Sequence, residues 1–273
     1  MTSLALPQPT SWRPTLFLWA SLALHVAAIV AVLIDRSLWP WALGALVVNH
    51  AAITISGLLP RCGWLGATVT SLPPDRAARG EWALTIDDGP DPDVTPRVLD
   101  ILEAHAAKAT FFCIGDRALA HPDLVARIVA KGHDVQNHSQ VHAHAFSLWG
   151  MKRIEAELTR AQDTITRVAG APPRFFRAPA GLRNIFLAPV LQRLGLKLVA
   201  WTARGFDTRE SDDARVLARL RRGLRGGSIL LLHDGHAARD AQGVPVILRV
   251  LPQLLAEARS RGLRGVTLSE ALA

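Results

Sequence analysis

Two long apolar stretches stand near the start of the chain. Residues 15–34 and 38–59 consist mainly of Leu, Ala, Val, Ile and Trp. Each has about 20 residues, enough to cross a hydrocarbon core of about 30 Å as a helix. A short charged tip, residues 35–37, separates them. The pattern predicts two transmembrane helices within residues 15–60, preceded by an N-terminal tail, residues 1–14.

Aromatic residues flank these stretches in the way that membrane anchors do. Five of the eight tryptophans lie at or near their ends: Trp12, Trp19, Trp39, Trp41 and Trp64. A secretory signal is the alternative for the first stretch, but it is long for a signal and lacks a clear small-residue cleavage site before Asp35. Polar groups at membrane depth can mark a functional path. Here they are predicted instead to bond across the hairpin or lie near an interface: His25, Asn49 and His50.

Basic residues around the hairpin give a preferred orientation. Arginines on the side of the tail and the main domain are Arg13, Arg61, Arg76 and Arg79, whereas the tip carries Arg36 alone. Because basic residues favour the cytoplasmic face, we expect an integral protein of the cell membrane, a bacterial inner membrane, with its main domain in the cytoplasm.

A polar linker, residues 61–80, leads into a region where strand-like and helix-like patterns alternate to residue 273. The predicted strands are Trp82–Ile86, Ala109–Ile114, His133–Asn137, Arg174–Arg177, Lys197–Thr202, Ser228–Leu232 and Gly265–Leu268. The predicted helices are Val94–His105, Pro122–Lys131, Lys152–Ala169, Ile185–Leu194, Asp213–Leu224 and Pro245–Arg261. The alternation predicts an α/β fold, residues 81–273, in which about seven parallel strands form a closed or nearly closed barrel.

Composition narrows the set of partners. The net charge of +8 comes largely from arginine, and a basic surface near anionic lipid is the favoured explanation. Nucleic-acid binding is not expected, because no Lys/Arg run is interleaved with aromatic residues. The two cysteines, Cys62 and Cys113, form neither a disulfide framework nor a metal-binding spacing, so both are predicted to be free thiols.

Paired carboxylates end the first predicted strand of the barrel. Asp87 and Asp88 precede Gly89-Pro90. Adjacent strand residues point to opposite faces, so both side chains can reach one pocket only where the strand stops being regular. One carboxylate could then bind a metal and the other a water. A solvated, aspartate-rich turn is the alternative.

Histidines follow the third predicted strand. His138 and His142 are four residues apart just after the strand, and a helical turn there would bring both imidazoles to one metal. With Asp88 they make a set of two histidines and one aspartate that suits zinc. His144 is a reserve ligand.

Two further strand ends carry candidate chemistry. Arg177 precedes a rigid turn and can pair with a carboxylate, whereas His233 can donate a proton. Asp207 could orient the His233 imidazole and favour its charged form. Taken singly, each of these residues is better explained by a structural salt bridge, but four such strand ends together favour one shared site.

These segments resemble four of the five motifs of the polysaccharide deacetylase family, carbohydrate esterase family 4, also known as the chitooligosaccharide deacetylase homology domain. The segments are Thr85-Ile86-Asp87-Asp88-Gly89-Pro90, His138-Ser139-Gln140-Val141-His142, Arg177-Ala178-Pro179-Ala180-Gly181 and Leu231-Leu232-His233. The resemblance covers residues 81–270 and implies a distorted (β/α) barrel.

The resemblance also implies a role for each residue. The metal ligands would be Asp88, His138 and His142. Asp87 would be the catalytic base, with Arg177 as its partner, and His233 the acid, with Asp207 tuning it. The Ala180 backbone N–H would serve the oxyanion, and Leu231 would floor the acyl pocket.

Three positions depart from the family pattern. Thr202 and Thr208 stand where the remaining motif usually has an acid and a tryptophan, which makes Asp207 the least secure assignment. Ala180 replaces a tyrosine, a change that would alter the groove wall and leave the chemistry intact.

The predicted function is that of a membrane-anchored, metal-dependent hydrolase. It would remove an N-acyl group, acetyl or formyl, from an amino sugar in a polysaccharide or lipid-linked glycan. Its cofactor would be one divalent metal, zinc, with cobalt, nickel or manganese as alternatives. The alternative functions are an O-acetyl esterase on glycans and a non-catalytic carbohydrate-binding membrane module.

Overall fold

A computed structural model describes residues 12–273 of the chain. Helices α1 (Leu16–Ile34) and α2 (Trp39–Leu58) are joined through a 3-10 turn, Arg36–Leu38, and pack against each other as a hairpin. The Thr15 hydroxyl accepts a hydrogen bond from the Leu18 N–H and caps α1. Both predicted apolar helices are therefore present. Of the predicted tail, residues 1–11 lie outside the described part of the chain.

Polar side chains in the hairpin bond between or within its helices. The Asn49 amide of α2 donates to the Ser21 hydroxyl of α1 at 2.8 Å, and the His25 and His50 rings lie 5.2 Å apart. Most of the remaining surface is apolar and open. Both helices are long and apolar enough to cross a membrane, and only 11% of the apolar window of each is buried within the molecule.

The segment predicted as a linker packs on the barrel. Val69 forms a parallel bridge with Val199, and Ser71 forms an antiparallel bridge with Ser228. Leu72 is buried, and a short helix, α3 (Pro74–Ala78), follows it. Hairpin and barrel are thus joined by a segment with fixed contacts.

Eight parallel strands form one curled sheet. They are β1 (Glu81–Asp87), β2 (Ala109–Cys113), β3 (Asp134–Asn137), β4 (Phe175–Phe176), β5 (Lys197–Leu198), β6 (Ala203–Arg204), β7 (Ile229–His233) and β8 (Arg264–Gly265). Their order is β5-β4-β3-β2-β1-β7-β6, with β8 paired to β1. The sheet is an incomplete barrel, so the predicted distorted (β/α) barrel is confirmed.

Helices cover the outside of the sheet. They are α4 (Thr95–Ala104), α5 (Gly115–Ala120), α6 (Pro122–Ala130), α7 (Met151–Ala169), α8 (Leu187–Arg193), α9 (Asp213–Gly223), α10 (Ile247–Ser260) and α11 (Leu268–Ala271). Six of them lie where the apolar periodicity predicts them. The short helices α3, α5 and α11 were not predicted, because too few turns are present to show a period.

The predicted strand Lys197–Thr202 was wrong in its extent, since only its start is a strand and the next strand begins at Ala203. The cause is tertiary. The carbonyl oxygens of Val199 and Ala200 accept hydrogen bonds from the Arg177 guanidinium instead of from a neighbouring strand. The predicted strand Gly265–Leu268 likewise ends early, because the Thr267 hydroxyl caps α11.

Strand β1 shows how the fold positions chemistry. Trp82, Leu84 and Ile86 pack into the core beneath the outer helices, whereas Ala83 belongs to the cluster inside the barrel. Side chains alternate along a strand, so Asp87 continues the inward-facing set. It therefore reaches the barrel interior at the carboxyl end of the sheet.

Candidate active site

A cleft of about 680 Å³ opens at the carboxyl ends of the strands. It is lined by seven of the nine predicted site residues: Asp87, Asp88, His138, His142, Ala180, Leu231 and His233. The other two, Arg177 and Asp207, are buried behind its wall. The structure thus brings the residues of four strand ends to one place.

The two adjacent aspartates both reach this cleft because the strand stops between them. Asp87 is the last residue of β1, and Asp88 has a left-handed backbone with φ of 74°. Aspartate is one of the few residues, besides glycine, that tolerate this conformation. Asp88 thereby turns toward the histidines, while Asp87 keeps its inward direction.

Asp88, His138 and His142 form a candidate metal site, with ligand atoms all within 4.8 Å of one another. Asp88 Oδ1 lies 3.2 Å from Nε2 of each histidine. This oxygen is buried and has no hydrogen-bond partner within residues 12–273. A buried carboxylate oxygen without a partner costs free energy, and a divalent cation between it and two imidazoles would satisfy it. The donor set, one oxygen and two nitrogens, fits such a cation.

The two histidines converge without the expected helical turn. Instead Ser139 and His142 have left-handed backbones, with φ of 66° and 51°. The Glu157 carboxylate of α7 accepts from the N–H groups of Gln140 and Val141 at 2.9 and 2.8 Å. A nearly buried acid on a neighbouring helix therefore holds this loop in shape.

The orientation of His138 is fixed from behind. Its Nδ1 lies 2.8 Å from the Arg177 carbonyl oxygen. When the Nδ1–H group donates to a carbonyl oxygen, the electron pair of Nε2 stays free to bind a metal. Metal-binding histidines are commonly held in this way.

Charge at this site is tightly coupled. Burial raises the pKa of Asp88, but the close approach of His138 and His236 outweighs it and holds that pKa well below its usual range. Burial lowers the pKa of His138, yet the nearby Asp87 and Asp88 raise it further, so the net shift is upward. Burial and the charge of His138 lower the pKa of His142 to about 3. His142 is thus neutral and free to donate its electron pair.

Asp87 is held by a buried arginine. Arg177 Nη1 donates to Asp87 Oδ1 at 2.6 Å and to the Thr85 hydroxyl at 2.8 Å. Its other donors reach the Val199 and Ala200 carbonyl oxygens. The guanidinium, in a side chain that is 1% exposed, makes hydrogen bonds through all three of its nitrogens, so the carboxylate has a single fixed position.

His233 has a carboxylate partner of its own. Asp207 Oδ1 lies 3.0 Å from His233 Nδ1, and Asp207 Oδ2 accepts from the His233 N–H at 2.7 Å. Burial lowers the pKa of His233, but Asp207 more than offsets it and raises that pKa to about 9. The imidazolium is therefore the dominant form at neutral pH.

The two predicted substrate-binding residues also line the cleft. Ala180 lies in a tight turn with φ of 54°, and Leu231 packs with Ala200 and Trp201. Behind Ala180, a Cβ added at Gly181 would come within 2.7 Å of both the Pro60 ring and Trp201. The loop that follows the hairpin, at Pro60, thus packs against the turn whose Ala180 N–H is expected to bind the oxyanion.

Two residues near Asp88 were missed from the sequence. His236 Nδ1 lies 2.9 Å from Asp88 Oδ2, and Arg117 Nη1 donates to the Asp88 carbonyl oxygen at 2.9 Å. Arg117 Nη2 also lies 3.1 Å from His236 Nε2. His236 follows His233 by three residues and could have been noticed, whereas nothing in the sequence singles out Arg117. The reserve ligand, His144, is outside the triad, with its ring 6.5 Å from that of His142.

Comparisons with known proteins give one answer. Residues 75–199 match the polysaccharide deacetylase family. A chitooligosaccharide deacetylase of Bradyrhizobium sp. (strain ANU 289) is 33% identical over 185 residues, which are 66% of this chain and 84% of that protein. A peptidoglycan-N-acetylglucosamine deacetylase of Bacillus cereus (strain ATCC 14579) is 34% identical over 193 residues, covering 70% of this chain and 87% of that protein.

The fold agrees with these relatives. A family 4 carbohydrate esterase from Streptomyces lividans, solved in complex with acetate, superposes with a TM-score of 0.62 and 30% identity. The superposition covers 68% of this chain and 91% of that one. The chain therefore belongs to the polysaccharide deacetylase family, carbohydrate esterase family 4, and is a hydrolase that acts on carbon–nitrogen bonds other than peptide bonds.

Proposed function

We propose that this protein is a membrane-anchored, metal-dependent hydrolase that removes an acetyl or formyl group from an amino sugar. The substrate class is an N-acylated glycan, either a polysaccharide or a lipid-linked sugar. The relatives are named for action on chitooligosaccharides and on N-acetylglucosamine of peptidoglycan. The observation that carries the proposal is the unpartnered Asp88 oxygen between two imidazoles, in one cleft with Asp87 and His233.

Asp88, His138 and His142 would hold one divalent cation. Two nitrogens and one carboxylate oxygen favour zinc, with cobalt, nickel and manganese as alternatives. When bound, the cation would polarise the acyl carbonyl and lower the pKa of the attacking water toward about 7.

The remaining steps belong to the side chains. Asp87, fixed by Arg177, is placed to accept the proton of the attacking water. The backbone N–H of Ala180 is assigned to the oxygen that becomes negative in the tetrahedral intermediate. His233, charged because of Asp207, donates its proton to the leaving amine nitrogen. The products are a free amino sugar and a carboxylic acid.

The anchor is proposed from the hairpin. A core helix of a soluble protein would be buried, whereas these two helices leave most of their apolar surface open. An even number of spans puts the tail and the barrel on one side of the membrane. The arginines at that end favour the cytoplasmic face.

A paired-substrate assay tests the activity. The full chain in detergent, loaded with zinc, should release acetate from an N-acetylated amino sugar oligomer faster than from a matched O-acetylated sugar, and Asp87→Asn should abolish the difference. Faster release from the O-acetyl sugar would identify an esterase. Binding of the oligomer with no release from either would identify a non-catalytic module. Mass spectrometry of membrane glycolipids and polysaccharides, with wild type against Asp87→Asn, then identifies the physiological substrate.

A further inference from the structure

Two arginines that have no acidic partner within residues 12–273 line the cleft. Arg204 ends strand β6 and lies in register with Leu231 of β7. Its half-buried guanidinium lies over the Phe206 ring at 4.0 Å and the Trp201 ring at 5.2 Å. Within residues 12–273 it has no carboxylate within 4.0 Å and no hydrogen bond. Its position is set by stacking, and its N–H groups remain available.

Arg209 lines the same cleft and is exposed. In the described chain its side chain also lacks an ion pair. Burial lowers the pKa of Arg204, and the charge of Arg209 lowers it further. Asp207 acts in the opposite direction on Arg204, but both of its oxygens are already bound to His233.

Acidic residues stand nearby yet pair elsewhere. Glu210 accepts from Arg219 of α9 at 3.2 Å, and Asp212 pairs with Arg215 at 3.3 Å. Arg215 and Arg219 of helix α9 thus have acidic partners, whereas the two cleft arginines have none within residues 12–273. Two like charges that line one cleft and have no acidic partner favour the binding of an anion there.

The residue between the two arginines is strained. Phe206 has φ of 61°, a left-handed conformation that is unfavourable for a residue other than glycine. Its ring is 45% exposed, and the guanidinium groups of Arg204 and Arg219 lie over it. Strain of this kind gathers at ligand-binding positions. Here it holds the aromatic surface on which Arg204 is stacked.

The wall of the cleft at Arg204 and Trp201 adjoins the segment that follows the hairpin. Trp201, whose ring lies under Arg204, and Pro60 both lie close to Gly181, because a Cβ added at Gly181 would contact both of them. In addition, Arg61 donates a hydrogen bond to the Thr202 carbonyl oxygen at 3.1 Å. Pro60 follows α2 by two residues. If the hairpin spans a bilayer, this wall lies next to the phosphate-bearing headgroup region.

We propose that Arg204 and Arg209 bind a phosphate ester carried by the substrate. The substrate would then be a phosphorylated N-acyl amino sugar. Two guanidinium groups offer the paired N–H donors that fit phosphate oxygens. The source of the phosphate is either a lipid phosphate or diphosphate linked to the sugar, which the position of Pro60 favours, or a soluble nucleotide sugar. This inference rests on the proposed function, because it names the substrate class of that site.

The first test compares a phosphorylated and a neutral substrate. The full chain, loaded with zinc in detergent, is assayed on N-acetylglucosamine 1-phosphate and on its uncharged methyl glycoside. We expect kcat/KM to favour the phosphate ester by about ten- to hundredfold, as two charge-assisted contacts would give. Arg204→Gln and Arg209→Gln should each reduce this preference, mainly through KM. The matched control is Arg222→Gln, an exposed arginine of α9 outside the cleft.

Equal kcat/KM values for the two substrates, or an equal fall for both in the arginine variants, would overturn the inference. A glucuronic acid glycoside that competes as well as the phosphate ester would replace phosphate with a carboxylate. The same sugar phosphate is then offered on a lipid in vesicles and as a nucleotide sugar. Faster turnover of the lipid form supports the membrane source.

Binding separates this inference from the proposed activity. In the zinc-loaded Asp87→Asn variant, the dissociation constant of the sugar phosphate should be lower than that of the neutral glycoside, and Arg204→Gln should remove the difference. Such binding with no turnover by wild type would contradict the proposed activity and leave the phosphate site standing. Turnover of the neutral glycoside with no preference in binding would support the proposed activity and contradict the phosphate site.

Discussion

Asp207 holds His233 at two points, with Oδ1 3.0 Å from the ring Nδ1 and Oδ2 accepting from the backbone N–H at 2.7 Å. The hydrogen bond from the backbone N–H fixes the carboxylate relative to the strand, and the contact with Nδ1 directs the carboxylate toward the imidazole ring. Asp207 is fully buried, so its charge acts on His233 with little screening. The result is the upward shift in the pKa of His233 to about 9.

A pH profile follows from this pair. His233 must be charged to act as the proposed proton donor, so we expect kcat to be constant near neutral pH and to fall as the pH rises through about 9. Asp207→Asn removes the charge that raises the pKa, and the fall should move to lower pH. Asp212→Asn, a change at an exposed cap of α9, is the control. An unchanged profile in Asp207→Asn would mean that another group limits the rate.

Metal content tests the triad. Purified protein should hold about one divalent ion per chain, and His138→Ala and His142→Ala should each lose both the metal and the activity. His144→Ala should keep the metal, since His144 lies outside the triad. Elemental analysis measures the occupancy. Full occupancy in either of the first two variants would rule out that residue as a ligand.

The two aspartates should separate by phenotype. Asp87→Asn should keep the metal and lose roughly a hundred- to ten-thousandfold in kcat, the range expected for loss of a general base. Asp88→Asn should weaken the metal affinity itself, because Asp88 supplies the unpartnered oxygen. Calorimetric titration with zinc distinguishes the two. Equal weakening of the metal affinity in both variants would show that the roles are shared.

Gly181 tests the turn beside Ala180. Gly181→Ala places a Cβ against Pro60 and Trp201 at a φ of 74°. Gly170→Ala has a similar φ of 77° but an open surrounding, which isolates the backbone cost of about 1–2 kcal/mol. We expect a larger drop in melting temperature for Gly181→Ala and a fall in kcat of at least about tenfold, because the turn shifts. Equal melting temperatures and an unchanged kcat would separate this turn from catalysis.

Topology is tested by labelling in intact cells. With Cys62 and Cys113 replaced, a cysteine at Ser37 should react with an impermeant reagent and one at Ser71 should not, if the barrel is cytoplasmic. Both serines are exposed in the structure, so accessibility within the protein is not limiting. The reverse pattern would place the barrel outside the cell and favour a polymeric glycan as the substrate.

The sequence predicted the elements well wherever a period or a strand end carried the signal. Helices α4 and α7, for example, lie within a residue of their predicted limits. The fold carries the predicted site residues to one cleft because parallel strands end at one edge. What the sequence could not show depends on contacts between distant segments.

Three features show this limit. The loop of His138 and His142 is shaped by Glu157, a residue in the middle of helix α7 that no local pattern distinguishes. The break between β5 and β6 arises where Arg177 takes the carbonyl oxygens of the intervening residues. Arg117 donates a hydrogen bond to the backbone carbonyl oxygen of Asp88, and no sequence motif predicts a contact of this kind.

The segment between hairpin and barrel is pinned by Val69 and Ser71 to the sheet, and the loop at Pro60 rests on the site. A tether fixed in this way cannot swing. If the hairpin is embedded in a bilayer, the cleft stays at one height above the lipid and explores its surroundings only by lateral diffusion. Such an enzyme would meet its substrates only in a layer next to the membrane. Glycans held close to the membrane are within its reach, whereas distant layers of a thick polymer are not.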